Sequence, residues 1–194
     1  MTSPLFPILE AARACAVCVP HLPLGPKPLL AADPESRILI VGQAPGRATH
    51  VAGTPWADRS GARLREWLGV PEAQFYDARK IALLPMGFCF PGSAKAGDLA
   101  PRAECAPLWH PKILPLLPEL RLTIYLGRYA VQRYFGTRFT DISSAVDAFG
   151  SLLPNQIVLP HPSPRNGPWI QQRPWFSEKL LPELKARVAE ALSE

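Results

Sequence analysis

The chain is poor in charge and in long apolar runs. Only 19% of its 194 residues are Asp, Glu, Lys or Arg. No apolar run approaches the roughly 18 residues that a membrane helix needs, which excludes a transmembrane helix. The opening MTSPLFPILEAARAC lacks a basic segment followed by an apolar one, so we read no secretion signal and expect a cytoplasmic protein. Neither GxGxxG nor GxxxxGK(S/T) occurs, which argues against a phosphate-cradling nucleotide loop. Internal repeats, low-complexity tracts and long linkers are missing too, so a single domain over 1–194 is expected. At 47% hydrophobic the chain is too apolar to be wholly disordered, and its length suits one core that needs no disulfide staples.

Proline is what the sequence has in excess. It contains 24, more than double the usual share of about 5%. They are spread between apolar segments and mark many rigid loops. The 21 Lys and Arg against 16 Asp and Glu give a net charge of +5, which favours an anionic partner, nucleic acid first.

Periodicity predicts an α/β chain. Arg37–Val41, Lys80–Leu84, Leu122–Leu126 and Gln156–Leu159 are short apolar runs of the kind buried on both faces of a parallel sheet. Ser60–Leu68, with Leu64, Trp67 and Leu68 on one side, reads as a helix. So do Arg128–Phe135, a proline-started Pro111–Leu117, and Trp175–Leu192 with a break at Pro182. Alternating strands and helices predict a three-layer α/β/α sandwich around a mostly parallel four-stranded sheet. Ligands in such folds sit beyond the carboxyl ends of the strands.

Two loops at those ends carry unusual chemistry. Gly42-Gln43-Ala44-Pro45-Gly46 is a tight turn of small residues that lets a flat ligand approach backbone. Pro160-His161-Pro162-Ser163-Pro164-Arg165-Asn166 brackets one histidine with prolines, which suits a donor that must point one way. Taken alone, each also reads as an ordinary loop. The four cysteines are Cys15 and Cys18, as C-x-x-C, then Cys89 and Cys105. In a cytoplasmic protein this set points to metal binding or redox work rather than disulfides, with buried unligated cysteines as the rival reading, and the spacing leaves zinc and an iron–sulfur cluster both open.

The two loops together resemble the signature motifs of the uracil-DNA glycosylase superfamily, a GQDP- or GEAPG-type turn after the first strand and an HPSP-type loop after the last. Gly53-Thr54-Pro55-Trp56 through Gly61 is similar to the family's segment whose aromatic ring stacks on an extruded base. The cysteine layout resembles the four-cysteine, family 4-like branch, which holds a structural 4Fe–4S cluster. The resemblance implies a monofunctional DNA glycosylase of base excision repair, acting as a monomer on DNA containing uracil or a related deaminated base. Gly42, Gln43, Ala44, Pro45, Gly46, Trp56 and His161 would then bind the base, His161 stabilising the leaving anion. Ser163, Pro164, Arg165 and Asn166 would contact DNA, Arg165 or Asn166 filling the vacated stack. Cys15, Cys18, Cys89 and Cys105 would ligate the cluster, with zinc as the alternative. A core role is the rival reading for Trp56.

The sequence also departs from the family. Ala44 stands where the best-known branch has a water-orienting aspartate, so Gln43, His50 and Asp58 are the substitutes. Asp58 reads equally as the cap of the following helix, and His50 as a loop residue without function. Pro85 stands where many members carry a base-reading asparagine. Met86-Gly87-Phe88 then offer only main chain, so a different base such as hypoxanthine is an alternative. So is a DNA-binding module of the same fold without catalysis.

Overall fold

The computed structural model describes residues 3–95 and 97–193. Its strands are β1 (Ile38–Val41), β2 (Ile81–Leu83), β3 (Ser93–Ala94), β4 (Gly97–Asp98), β5 (Leu122–Leu126) and β6 (Gln156–Leu159). Four of them form one parallel sheet in the order β2-β1-β5-β6, and β3 and β4 pair as a small antiparallel ribbon. Every residue of β1 and β2 is buried. Burying each Ile or Leu fully contributes about 1.5–3 kcal/mol, which is why such apolar runs settle between two helical layers.

The helices are α1 (Leu5–Arg13), α2 (Arg47–Ala52), α3 (Arg59–Leu68), α4 (Glu72–Phe75), α5 (Cys105–Ile113), α6 (Arg128–Phe135), α7 (Ile142–Asp147), α8 (Gly167–Gln171) and α9 (Leu181–Leu192). α3 packs on α9, which lies against β1 and β5. α1 packs on α5, and α6 packs on β5 and α7. These helices surround the parallel sheet as a three-layer α/β/α sandwich, as the right-handed crossover rule leads one to expect for parallel strands. Among the described residues, no helix is long and apolar enough to cross a membrane.

Two helices differ from the sequence expectation, each through a proline. α5 does not start at Pro111; it starts at Cys105 and carries Pro111 inside. Its buried Ala106, Trp109, His110 and Ile113 hold it against the core, and packing outweighs the one missing N–H donor. At the C-terminus Pro182 does not break the helix. The turn before it, Phe176–Leu180, widens into a π-helix that runs on into α9, and the wider turn accommodates a residue with no N–H.

Strand register positions the site. Val41 pairs with Tyr125, and Leu126 with Leu159. The loops after β1, β5 and β6 therefore leave the sheet side by side. The chain switches direction across the sheet at β1, which lies between β2 and β5, and that is where such folds open a crevice.

Candidate functional site

The crevice is a cleft of about 570 Å³. The β1 loop lines it with Gln43, Ala44, Pro45 and Gly46, and the β6 loop with His161, Ser163, Arg165 and Asn166. Trp56 and Asp58 enter from the segment between α2 and α3. Loops more than 100 residues apart in sequence thus share one cavity. Gly42 and Pro164 are the two expected residues of these loops that do not line it.

Gly42 lies behind Trp56. A Cβ at Gly42 would sit 2.7 Å from the indole Cζ2, so only glycine leaves room for the ring there. Trp56 is the one non-glycine residue with positive φ among the described residues, at 58°, a conformation that costs about 1–3 kcal/mol. Gly61 accommodates it from the other side, because a Cβ there would overlap the Trp56 carbonyl. The ring centroid of Trp56 lies 5.6 Å from that of His161, with the planes tilted by 31°. Trp56 also packs against the core, so both readings of this residue describe part of its environment.

His161 is held by its own loop. Its Nδ1 accepts the Ser163 N–H at 3.2 Å, and its carbonyl accepts from the Asn166 Nδ2 at 2.7 Å. An accepting Nδ1 puts the proton on Nε2. Burial pushes the pKa below the usual histidine value, and the nearby charges of Asp58 and Asp98 oppose that shift. At neutral pH the side chain is therefore a neutral Nε2–H donor.

Asp58 caps α3, its Oδ1 accepting the Gly61 N–H at 2.8 Å. Ser163 Oγ accepts the Arg165 N–H at 3.3 Å and caps the turn Pro164–Asn166. The Arg165 guanidinium lies against the Gly97 backbone of the ribbon. His50 is not a loop residue. It is buried in α2, outside the cleft lining, with its ring 6.0 Å from Phe90. Burial drew it inward because the apolar ring contact outweighs its unpaired Nδ1.

The N–H groups of the turn after β2 are engaged within the fold. Met86 N–H donates to the Gly42 carbonyl at 2.8 Å and Gly87 N–H to the Gln43 carbonyl at 2.9 Å. Phe88 N–H points at the Cys105 sulfur, 3.3 Å away. The Pro85 carbonyl accepts from His110 Nε2 at 3.1 Å, and His110 Nδ1 accepts from the Tyr134 hydroxyl at 2.6 Å. All three N–H donors are spent inside the fold, stitching this turn to the β1 loop.

Sequence reading missed several cleft residues: Thr49, Ser60, Asp98, and Arg128 with Tyr129. Arg128 and Tyr129 follow β5 directly, so the rule that parallel strands end on one edge contained the signal. Thr49 and Ser60 had none, being ordinary residues of helical segments.

A second, smaller and mostly apolar pocket has Cys15, Cys18, Cys89 and Cys105 together on its wall. All four are free thiols. Burial pushes Cys105 up to about 12, a cost that a bound cation would offset by holding the thiolate. No group of three or more His, Cys, Asp or Glu among the described residues is gathered for one metal ion. As a donor set, four thiols on the wall of one apolar pocket have the chemistry of a thiophilic group's ligands.

The family model of the uracil DNA glycosylase superfamily matches residues 31–185. The match spans the sheet, both signature loops and the cleft, and the chain belongs to that superfamily. Members act on DNA as glycosidic hydrolases in repair, which agrees with the class of site described above.

Proposed function

We propose that the protein is a monofunctional uracil-DNA glycosylase that flips the nucleotide into the cleft and hydrolyses its glycosidic bond. The observation that carries this reading is the convergence of the 42–46 turn, Trp56 and His161 on one cleft. The C1′–N bond breaks and its electron pair leaves on the base. The His161 Nε2–H donates to the base carbonyl where that charge accumulates, and a neutral donor stays a donor throughout. Trp56 offers a face for stacking. A water adds to C1′, and its proton passes through solvent to the departing base anion, which leaves as the neutral base. Ala44 supplies no base, so rate comes from stabilising the leaving anion, with Gln43 and Asp58 as the polar groups nearest the reacting sugar. Ser163, Arg165 and Asn166 face the strand at the cleft mouth. No lysine is among the described residues lining the cleft, which supports a monofunctional enzyme, because lyase chemistry needs an amine nucleophile.

The four cysteines hold a 4Fe–4S cluster in this reading. The cysteine layout shared with the iron–sulfur branch favours the cluster over zinc, and Cys15, Cys18, Cys89 and Cys105 would be its ligands. Its contribution is to tie residues 15–18 to residues 89–105. The chain acts as a monomer in the cytoplasm.

The test is alkaline strand scission after incubation with oligonucleotides carrying one uracil, single- and double-stranded. Scission by the wild type is expected, with His161→Ala slower by about 100- to 1,000-fold. No scission from cluster-loaded protein overturns the reading, and equal rates remove His161 from its role. Hypoxanthine and xanthine substrates in the same assay identify a different base.

A further inference from the structure

The turn after β2 has no main-chain donor left for a base, and the cleft's other polar side chains are mostly engaged. The Asn166 amide holds the His161 carbonyl. Asp58 caps α3. Arg128 donates to the Tyr129 hydroxyl at 2.7 Å. Gln43 Nε2 makes only a long contact to the Leu99 carbonyl, at 3.4 Å, and its amide oxygen faces the same cleft. Two further residues stand apart. Thr49 and Ser60 both line the cleft while only 3% and 9% exposed. Neither hydroxyl has a hydrogen-bond partner among the described residues, and neither is sealed from the cleft as the orphaned His50 Nδ1 is sealed from solvent. Both oxygens therefore open onto the cleft, where water or a bound base completes their hydrogen bonding.

We infer that Thr49 and Ser60 are the specificity-determining contacts of this site and read the lactam edge of the extruded base, a carbonyl beside an N–H. This inference rests on the glycosylase reading and deepens it. A hydroxyl donates one hydrogen bond and accepts two. One of the pair donates to a ring carbonyl while the other accepts the ring N–H, the pattern a carboxamide side chain supplies when one is present. Both sit on short helical segments flanking Trp56, one on α2 and one in the first turn of α3. Burial fixes their positions, while each O–H still rotates to suit its partner. The site therefore takes lactam-bearing bases as a class, and the hydroxyls bear on binding more than on bond cleavage.

The experiment compares wild type, Thr49→Val, Ser60→Ala and Thr49→Ser on a single-stranded oligonucleotide with one uracil, measuring kcat and KM separately alongside melting temperature. Thr49→Val and Ser60→Ala should each lower kcat/KM about tenfold, mostly through KM, the loss of one hydrogen bond. Melting temperature should not change, since no protein partner is lost, and Thr49→Ser should restore activity. Both variants within about twofold of wild type, with wild type active, would overturn the inference and leave the glycosylase reading intact. A fall in melting temperature in both, unrelieved in Thr49→Ser, would assign the hydroxyls to the fold and also overturn it. If wild type releases no base, the glycosylase reading has failed separately. Affinity for the same uracil oligonucleotide then decides: weaker binding by both variants supports the pair, and equal binding refutes it.

Discussion

His110 provides the most quantitative test of how the cleft wall is built. Its ring is 2% exposed and bridges two elements, accepting from Tyr134 and donating to the Pro85 carbonyl. Burial pushes its pKa down to about 4, and the charge of Arg133 adds to the shift. An unfolded histidine titrates near 6.5, and each unit of difference is worth about 1.4 kcal/mol. Between about pH 6.5 and 4 the unfolded chain holds a proton that the folded chain refuses, so stability rises with pH across that window. The contribution is complete above about 6.5 and is lost as pH falls toward 4, for a total of about 3 kcal/mol. Carboxylates and the buried His50 titrate as well, so the comparison must be with a variant that keeps both hydrogen bonds and cannot ionise. Glutamine is that variant, its amide donating to Pro85 and its carbonyl accepting from Tyr134. Urea unfolding of wild type and His110→Gln at pH 7, 5.5 and 4.5 should give curves that diverge in acid, the wild type falling by about 2 kcal/mol more by pH 4.5. Parallel curves would refute the reasoning, and with it the view that the Pro85 turn is pinned from behind by a neutral imidazole.

Three further outcomes follow from the geometry. Gly61→Ala forces a Cβ into the Trp56 carbonyl, so it should cost about 1–3 kcal/mol in urea unfolding and shift tryptophan fluorescence; a silent variant would mean that the Trp56 backbone relaxes freely. Trp56→Ala should raise KM for a uracil oligonucleotide by about ten- to a hundredfold, the worth of one base–aromatic stack, and an unchanged KM would make the residue a core packer only. Cys15→Ser should lower bound iron, absorbance near about 400 nm and melting temperature together; full iron content in the variant would remove Cys15 from the ligand set.

The sheet was legible because its signal is local and strong. Ile38–Val41 and Leu122–Leu126 are continuous apolar runs between turn residues, and buried parallel strands need little else. The two signature loops were legible because Gly, Pro and His carry backbone or donor chemistry that ordinary loops do not need. What sequence could not supply was the partner of each polar group. Nothing in Pro85-Met86-Gly87-Phe88 says that its donors are consumed by Gly42, Gln43 and Cys105, because those partners lie on the β1 loop and on α5, far away in sequence. The same applies to α5, where Pro111 reads as a start and packing of Trp109 and Ile113 makes it an interior residue.

That asymmetry bears on where specificity can be found. In the proposed reaction the motif residues carry the chemistry, since His161 and the 42–46 turn would present fixed groups to the reacting bond. Recognition of the base instead falls to groups left over when the fold has satisfied itself, and those are visible only after every donor and acceptor around the cleft has been assigned. In this chain the accounting occupies the N–H donors of the β2 turn and leaves Thr49 and Ser60 open beside the Gln43 amide oxygen. A threonine and a serine with no motif around them thereby become better candidates for reading the substrate than the main chain at the position where the family's amide would have stood.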